Sequence, residues 1–143
     1  MKVIHLISGG DSGGAKTHVL SLLQNLNKTI TAQLVCFRDG PFAEEARSMG
    51  IPTVIMGGNN IPRLRRKLTD YIKAGGYEVI HCHGSRANMV GALLRSSTGL
   101  PVVSTVHSDY KLDYMGRSLW TVVTTGSPVD RRSRAPIMLA REP

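Results

Sequence analysis

The sequence predicts an α/β fold in which a parallel, doubly wound sheet carries helices on both faces. Short apolar runs typical of buried strands alternate with segments whose apolar residues recur at helical spacing. The connections between them are short, and such alternation implies right-handed crossovers in a parallel sheet. We interpret residues 1–118 as one domain of this kind. Residues 119–143 are rich in proline and arginine and lack the alternation, so we expect an irregular tail of low order.

Five strands and four helices are predicted in this alternation. The strands are expected at residues 3–8, 32–37, 52–56, 77–82 and 101–106. The helices are expected at about residues 14–27, 42–49, 64–72 and 85–97. Ligands of such sheets bind at the carboxyl ends of the strands, near the point where the strand order reverses. Functional side chains are therefore sought immediately after each strand.

The composition indicates a globular protein with a strongly basic balance. The formal net charge is +8, which suits nucleic acid, an anionic membrane surface or phosphorylated ligands. Aromatic residues make up 5% and do not interleave with basic ones, so nucleic-acid binding is not expected. Cys36 and Cys82 lie inside apolar runs, which favours reduced core thiols in a cytoplasmic protein over a disulfide. No apolar run approaches the ~20 residues that a membrane-spanning helix needs.

A glycine-rich segment, Gly9–His18, joins the first strand to the first helix. Glycine admits left-handed backbone angles, and the helix N-terminus behind it favours an anion. Gly10–Thr17 resembles a nucleoside-triphosphate loop, but Ala15 replaces its second glycine and no aspartate ends the fourth or fifth strand. The dinucleotide fingerprint fails at Asp11. Three interpretations stay open: a phosphate loop of the triphosphate kind, a looser loop that contacts a diphosphate through main-chain N–H groups, and a turn that merely needs positive φ.

Lys16 and His18 are candidate anion-binding residues in the first turn of that helix. A lysine there opposes the positive end of the helix dipole, which becomes favourable if an anion is bound. A solvent-exposed lysine explains the same residue equally well. Both interpretations are kept.

Histidines end the fourth and fifth predicted strands. His83 and His107 therefore belong to the same edge of the sheet, where they are predicted to hydrogen-bond a sugar hydroxyl or a phosphate. No metal site is expected, because no third carboxylate or cysteine has suitable spacing. His5 and His81 lie inside strands and are expected to be structural.

A basic run lies on the third predicted helix. Arg63, Arg66 and Lys67 fall on the side opposite Leu64 and Leu68. A solvated charged face is the default interpretation. Contact with anionic lipid headgroups is the alternative, and it would place the protein at the inner face of the membrane.

Five short sequence segments occur in an order that indicates a protein family. They are residues 13–18 (Gly-Gly-x-x-x-His), 39–45, 50–52, 77–84 and 104–107. Each is weak alone, but jointly they are specific, and they cover residues 1 to about 110. Their order resembles the N-terminal domain of family 4 glycosyltransferases, retaining enzymes of the GT-B type. The resemblance implies a Rossmann-like domain that forms the N-terminal half of a GT-B architecture.

The resemblance also implies a function and assigns residues to it. It implies transfer of a sugar from a nucleotide-sugar donor to a sugar or lipid-linked acceptor, as in synthesis of cell-envelope polysaccharide, with no cofactor besides the donor substrate. Gly13 and Gly14 would meet the donor diphosphate, and His107 would lie at the reaction centre. Asp109 nearly reproduces an acidic residue that often follows this histidine directly, although Ser108 intervenes. The acceptor would be held mainly by this domain.

In the family, a second domain of similar fold holds most of the nucleotide-sugar. We do not recognise that second domain, or the last strands of the first domain, in this sequence. Our hypothesis is a truncated or frameshifted reading frame that is family-like to about Leu119, so that this chain alone is inactive. Two alternatives remain, a phosphate-loop nucleotide-binding protein and the non-catalytic half of a split transferase that binds a separate donor domain.

Overall fold

The structure, a computed structural model, describes residues 1–10, 14–106 and 137–141. Strands and helices alternate from β1 to β5, and a sixth strand follows. The elements are β1 (Lys2–Ile7), α1 (Gly14–Leu26), β2 (Thr31–Cys36), α2 (Pro41–Ser48), β3 (Thr53–Ile55), α3 (Ile61–Gly75), β4 (Val79–His83), α4 (Ser85–Thr98), β5 (Val102–Val106) and β6 (Ile137–Arg141). The five predicted strands and four predicted helices are all present.

The strands form one sheet in the order β3-β2-β1-β4-β5-β6, and every pairing is parallel. The chain proceeds outward from β1 to β3 and then returns to the other side of β1 with β4. The strand order therefore reverses between β1 and β4, where Ile7 pairs with His83. In sheets of this type the crevice at this reversal is the usual ligand site.

Two apolar cores cover the two faces of the sheet. On one face α3 and α4 pack on β1 and β4, with buried Leu68 and Leu94 against Ile4 and Ile80. On the other face α1 and α2 pack on β1 and β2. Because β1 is covered on both sides, its sequence is a nearly continuous apolar run.

The two cysteines lie in different cores. Cys36 belongs to the core under α1 and α2, and Cys82 belongs to the core under α3 and α4. Burial raises the pKa of the Cys82 thiol to about 12, so this thiol stays protonated at neutral pH. The prediction of reduced core thiols is confirmed.

Local signals set the helix ends. At the start of α3, the Asn60 side chain accepts a hydrogen bond from the Arg63 N–H at 2.9 Å. Gly76, with φ of 65°, terminates the same helix in the left-handed region. Helix α4 begins at Ser85, as expected, and its N-cap residue is Gly84.

The prediction of an irregular tail over residues 119–143 is wrong at Ile137–Arg141. These residues form β6, which pairs with β5 in the register Val102 to Ile137. In the sequence, the surrounding prolines and arginines obscured the short apolar run at residues 137–141. The strand forms because one neighbour, β5, is enough to pair its backbone. The rest of the predicted tail lies outside the described residues.

Helix α4 approaches the sheet closely at Gly91. A Cβ atom at this position would overlap the Cys82 Sγ and lie 3.3 Å from the Val102 Cγ1. The absence of a side chain at this position therefore sets the distance between helix and sheet.

We predict that Gly91→Ala destabilises the protein by about 1–3 kcal/mol through overpacking. Helix propensity alone would favour alanine by roughly 1 kcal/mol, so the sign separates the two effects. Urea unfolding measures the change. In a Cys82→Ala background the same substitution should be neutral or stabilising, and an equal cost in both backgrounds would contradict the explanation.

Candidate functional site

The loop after β1 lies at the strand-order reversal and packs against the loop after β2. The Arg38 N–H donates a hydrogen bond to the Ser8 carbonyl at 3.0 Å. Gly9 has φ of 90°, and a Cβ there would lie 2.5 Å from the Arg38 carbonyl oxygen. Glycine at position 9 is therefore required both by its backbone angle and by the neighbouring main chain.

Arg38 is a candidate site residue that the sequence reasoning missed. Its guanidinium lies over Gly10, where an added Cβ would be 2.9 Å from Nη2. The side chain is exposed and follows β2 at the carboxyl edge. No motif in the sequence indicates a role for Arg38, because only the packing of two loops brings it to the glycine segment.

A second arginine connects a helix to a loop at this edge. The Arg86 Nη2 donates to the Gly58 carbonyl at 3.0 Å, and its guanidinium lies 5.7 Å from the centroid of the Phe37 ring. Arg86 thereby joins α4 to the connection between β3 and α3. Arg38 and Arg86 thus place two cationic side chains at this edge.

Three of the predicted phosphate-binding residues, Gly14, Lys16 and His18, lie in the first turns of α1. Gly14 is the first residue of α1, and Lys16 forms an ion pair with Glu45 of α2. That pair explains a lysine in the first turn without a bound anion. His18 is half-buried in α1. Gly13 lies outside the described residues, as do two further predicted site residues, His107 and Asp109.

Three histidines meet on one face of the sheet, and we call His5, His81 and His83 the histidine cluster. His5 pairs with His81 in the register of β1 and β4, and the two ring centroids are 4.8 Å apart. The His81 and His83 rings are 4.2 Å apart. The His5 Nδ1 and His83 Nε2 atoms share a hydrogen bond of 3.1 Å. His81 Nε2 hydrogen-bonds the Thr105 hydroxyl at 2.7 Å.

The histidine cluster is deeply buried on the side of β1. His5 and His83 are buried, while His81 is half-buried. Burial, and secondarily the charge of His81, lower the pKa of His5 from 6.5 to about 3. His5 is therefore neutral at physiological pH. Its Nε2 atom is buried without a hydrogen-bond partner among the described residues, which costs about 1–3 kcal/mol.

Sequence reasoning placed His83 correctly at the sheet edge but treated His5 and His81 as unrelated structural residues. It also dismissed a metal because no third carboxylate or cysteine was suitably spaced. Among the described residues, His5, His81 and His83 each have a ring nitrogen within 4.8 Å of the other two. The available signal was the pairing of β1 with β4, which puts positions 5, 81 and 83 on one face.

The model of Glycosyltransferase Family 4 matches residues 12–137 of this sequence. The chain belongs to glycosyltransferase family 4. The match extends to Ile137, beyond the position near Leu119 where family likeness was expected to end. The Rossmann-like, GT-B-type fold predicted from the motifs is confirmed.

Similar proteins are considerably longer than this chain. EpsF of Bacillus subtilis (strain 168), described as a glycosyltransferase, is 29% identical over 110 residues, which cover 71% of this chain and 28% of EpsF. Anabaena Alr3699/HepE, solved with UDP and glucose, matches with a TM-score of 0.72 and 20% identity over 86% of this chain and 35% of HepE. A glycosyltransferase from Rickettsia africae matches with a TM-score of 0.68 and 12% identity over 98% of this chain and 42% of its own. The two solved structures establish likeness of fold.

The neutral state of buried His5 predicts an acid-sensitive stability. In the unfolded chain His5 is protonated below about pH 6.5, whereas in the folded protein it is protonated only below about pH 3. The free energy of unfolding therefore falls as the pH falls through this window. Between about pH 7.5 and about pH 5, wild type should lose about 2 kcal/mol more than His5→Asn.

Urea unfolding at the two pH values provides the measurement. Asparagine keeps a polar atom near the position of Nδ1 and removes the titrating ring, so the comparison isolates His5 from the carboxylates. Equal losses in the two proteins would show that His5 accepts its proton in the folded state.

Proposed function

We propose that this domain forms the acceptor-side wall of the active site of a retaining glycosyltransferase, which moves a sugar from a nucleotide-sugar donor to an acceptor. The observation that carries the proposal is the family match over residues 12–137 on a sheet whose glycine loop and His83 meet at the strand-order reversal. The HepE structures support the donor class, since they hold UDP and glucose or UDP-glucose.

The glycine loop and α1 would stabilise the leaving diphosphate. Helix α1 begins at Gly14, so its first N–H groups and the positive end of its dipole face the end of the loop. Negative charge that develops on the diphosphate as the sugar leaves is stabilised by such groups. Gly13 and Gly14 would allow close approach of the main chain, and Lys16 would reach the phosphate by exchanging Glu45 for it.

Histidines at the carboxyl edge would act on the sugar and the acceptor. We assign His107 to the reaction centre, where hydrogen bonding to the transferred sugar or acceptor hydroxyl would orient the reacting groups. His83, held by His5, would present its ring beneath the same crevice. His18 and Asp109 would complete the set of polar groups around the acceptor.

A donor-binding domain would complete the cleft. This chain spans 28% of EpsF and 35% of HepE, so much of each protein has no counterpart in the 143 residues. We propose that a second domain, joined to this one or encoded separately, holds the nucleotide. The proposed acceptor is a sugar or a lipid-linked sugar of the cell envelope, a class supported by the likeness to the lipopolysaccharide outer core galactosyltransferase WaaB, with a TM-score of 0.61.

The exposed face of α3 would hold the protein at an anionic membrane surface on the cytoplasmic side. Arg63, Arg66 and Lys67 are exposed and follow helical spacing, while Leu64 and Leu68 are buried beneath them. Among residues 1–10, 14–106 and 137–141, no helix is long and apolar enough to cross a bilayer. Association through this face would bring the crevice close to a lipid-linked acceptor.

The function is tested by sugar transfer. The full 143-residue chain should release no UDP from a panel of UDP-sugars by itself. Turnover should appear when the chain is combined with its donor-binding domain, and His107→Ala should lower that turnover by at least ~100-fold because an oriented acid–base group is lost. Lys28→Ala, a change in the exposed turn that follows α1, is the control that should keep full activity.

Hydrolysis of magnesium-ATP by the chain alone would overturn this proposal in favour of a phosphate-loop nucleotide-binding protein. Retention of transfer in His107→Ala would remove that residue from the reaction centre. Circular dichroism of each variant shows that the fold is kept.

Membrane association is tested by sedimentation with vesicles that contain anionic lipid. Neutralising two cations, in Arg63→Gln/Arg66→Gln, should weaken binding by about 2 kcal/mol, or roughly thirtyfold. Lys28→Gln/Arg47→Gln removes the same charge elsewhere and should bind like wild type. Equal weakening in both double variants would show a general charge effect and would contradict a role for α3.

A further inference from the structure

We propose that the histidine cluster of His5, His81 and His83 binds one divalent transition-metal ion of the imidazole-preferring class, such as Zn²⁺. One ring nitrogen from each of the three residues lies within 4.8 Å of the other two. Two adjacent parallel strands supply the ligands, so the site is built on paired strands and not on loops. It shares His83 with the proposed sugar-transfer site, but its test measures metal binding and does not depend on sugar transfer.

The donor set fits such an ion. Neutral imidazole nitrogens suit Zn²⁺, Ni²⁺, Co²⁺ and Cu²⁺, whereas Mg²⁺ and Ca²⁺ prefer oxygen ligands. Rings packed at centroid distances of 4.2–5.4 Å in a buried site cannot each carry a charge. Packing the rings this closely therefore disfavours three imidazolium ions together, and neutral imidazole is the form of histidine that binds a metal ion.

A buried nitrogen of the cluster lacks the partner that a metal would supply. The His5 ring is fully buried, and its Nε2 atom has no hydrogen-bond partner among the described residues. A buried polar atom left in this way is costly, and such atoms are few in native proteins. Coordination through this nitrogen would remove the cost.

The surroundings of His81 resemble those of a metal-binding histidine. The Thr105 hydroxyl fixes the orientation of the His81 ring through Nε2, as outer-shell partners do at metal sites. His81 is half-buried, whereas His5 and His83 are buried, so an ion would enter from the side of His81. Three protein ligands leave a fourth tetrahedral position for water or a ligand oxygen.

The nitrogens need only a local adjustment. Around a tetrahedral Zn²⁺ with Zn–N distances of about 2.0–2.1 Å, ligand nitrogens lie about 3.4 Å apart. The observed 4.8 Å limit requires the rings to turn inward. Rotation about χ2 of histidine is broad and inexpensive, and the strands themselves need not move.

The test uses the full chain without a histidine tag, treated with EDTA and then dialysed. Titration with Co²⁺ should give ligand-field absorption that saturates at one equivalent and is displaced by Zn²⁺. Zn²⁺ should also raise the unfolding temperature in proportion to its occupancy. Mg²⁺ should do neither.

Variants show which residues hold the ion. His81→Gln changes the half-buried member of the cluster and should weaken Co²⁺ affinity at least tenfold, with His5→Asn as a second variant where the protein remains folded. His18→Gln removes a histidine on α1 outside the cluster and should bind Co²⁺ like wild type. Absence of stoichiometric Co²⁺ absorption, or equal affinity in His81→Gln and wild type, would establish a metal-free packed cluster and overturn the proposal.

Discussion

Parallel pairing of β1 with β4 is the constraint on which the rest of the molecule depends. It places strands far apart in the sequence side by side and reverses the strand order between them. The same register that pairs Ile7 with His83 also sets His5 against His81. The strand-order reversal and the histidine cluster beside it are thus two consequences of one set of backbone hydrogen bonds.

Much of the fold was predictable because its signals are local. Apolar runs, helical spacing and terminators such as Gly76 locate the elements from β1 to β5 within a few residues. Strand β6 was missed because an edge strand is stabilised by its neighbour β5, and its own short sequence carries little evidence of that pairing. Helix α4 begins at Ser85, the residue at which it was predicted to begin, after Gly84 with φ of 86°.

The candidate site was only partly predictable, for a related reason. His83 ends a strand, so its position follows from the predicted end of β4. His5 joins the histidine cluster only because β1 pairs with β4, which the sequence does not state. Arg38 reaches the glycine loop through contact between two loops, and no spacing rule encodes that contact. Lys16 was correctly singled out as unusual, yet its partner Glu45 lies on a different helix.

The ion pair between Lys16 and Glu45 has a consequence for selectivity. Glu45 balances the charge of Lys16 at the start of α1, so under the proposed function this lysine would attract a small inorganic anion only weakly. Any anion that takes Lys16 must displace a carboxylate that is tethered to α2. A ligand with several phosphate oxygens would form enough contacts to replace the ion pair, whereas a small inorganic anion would form too few.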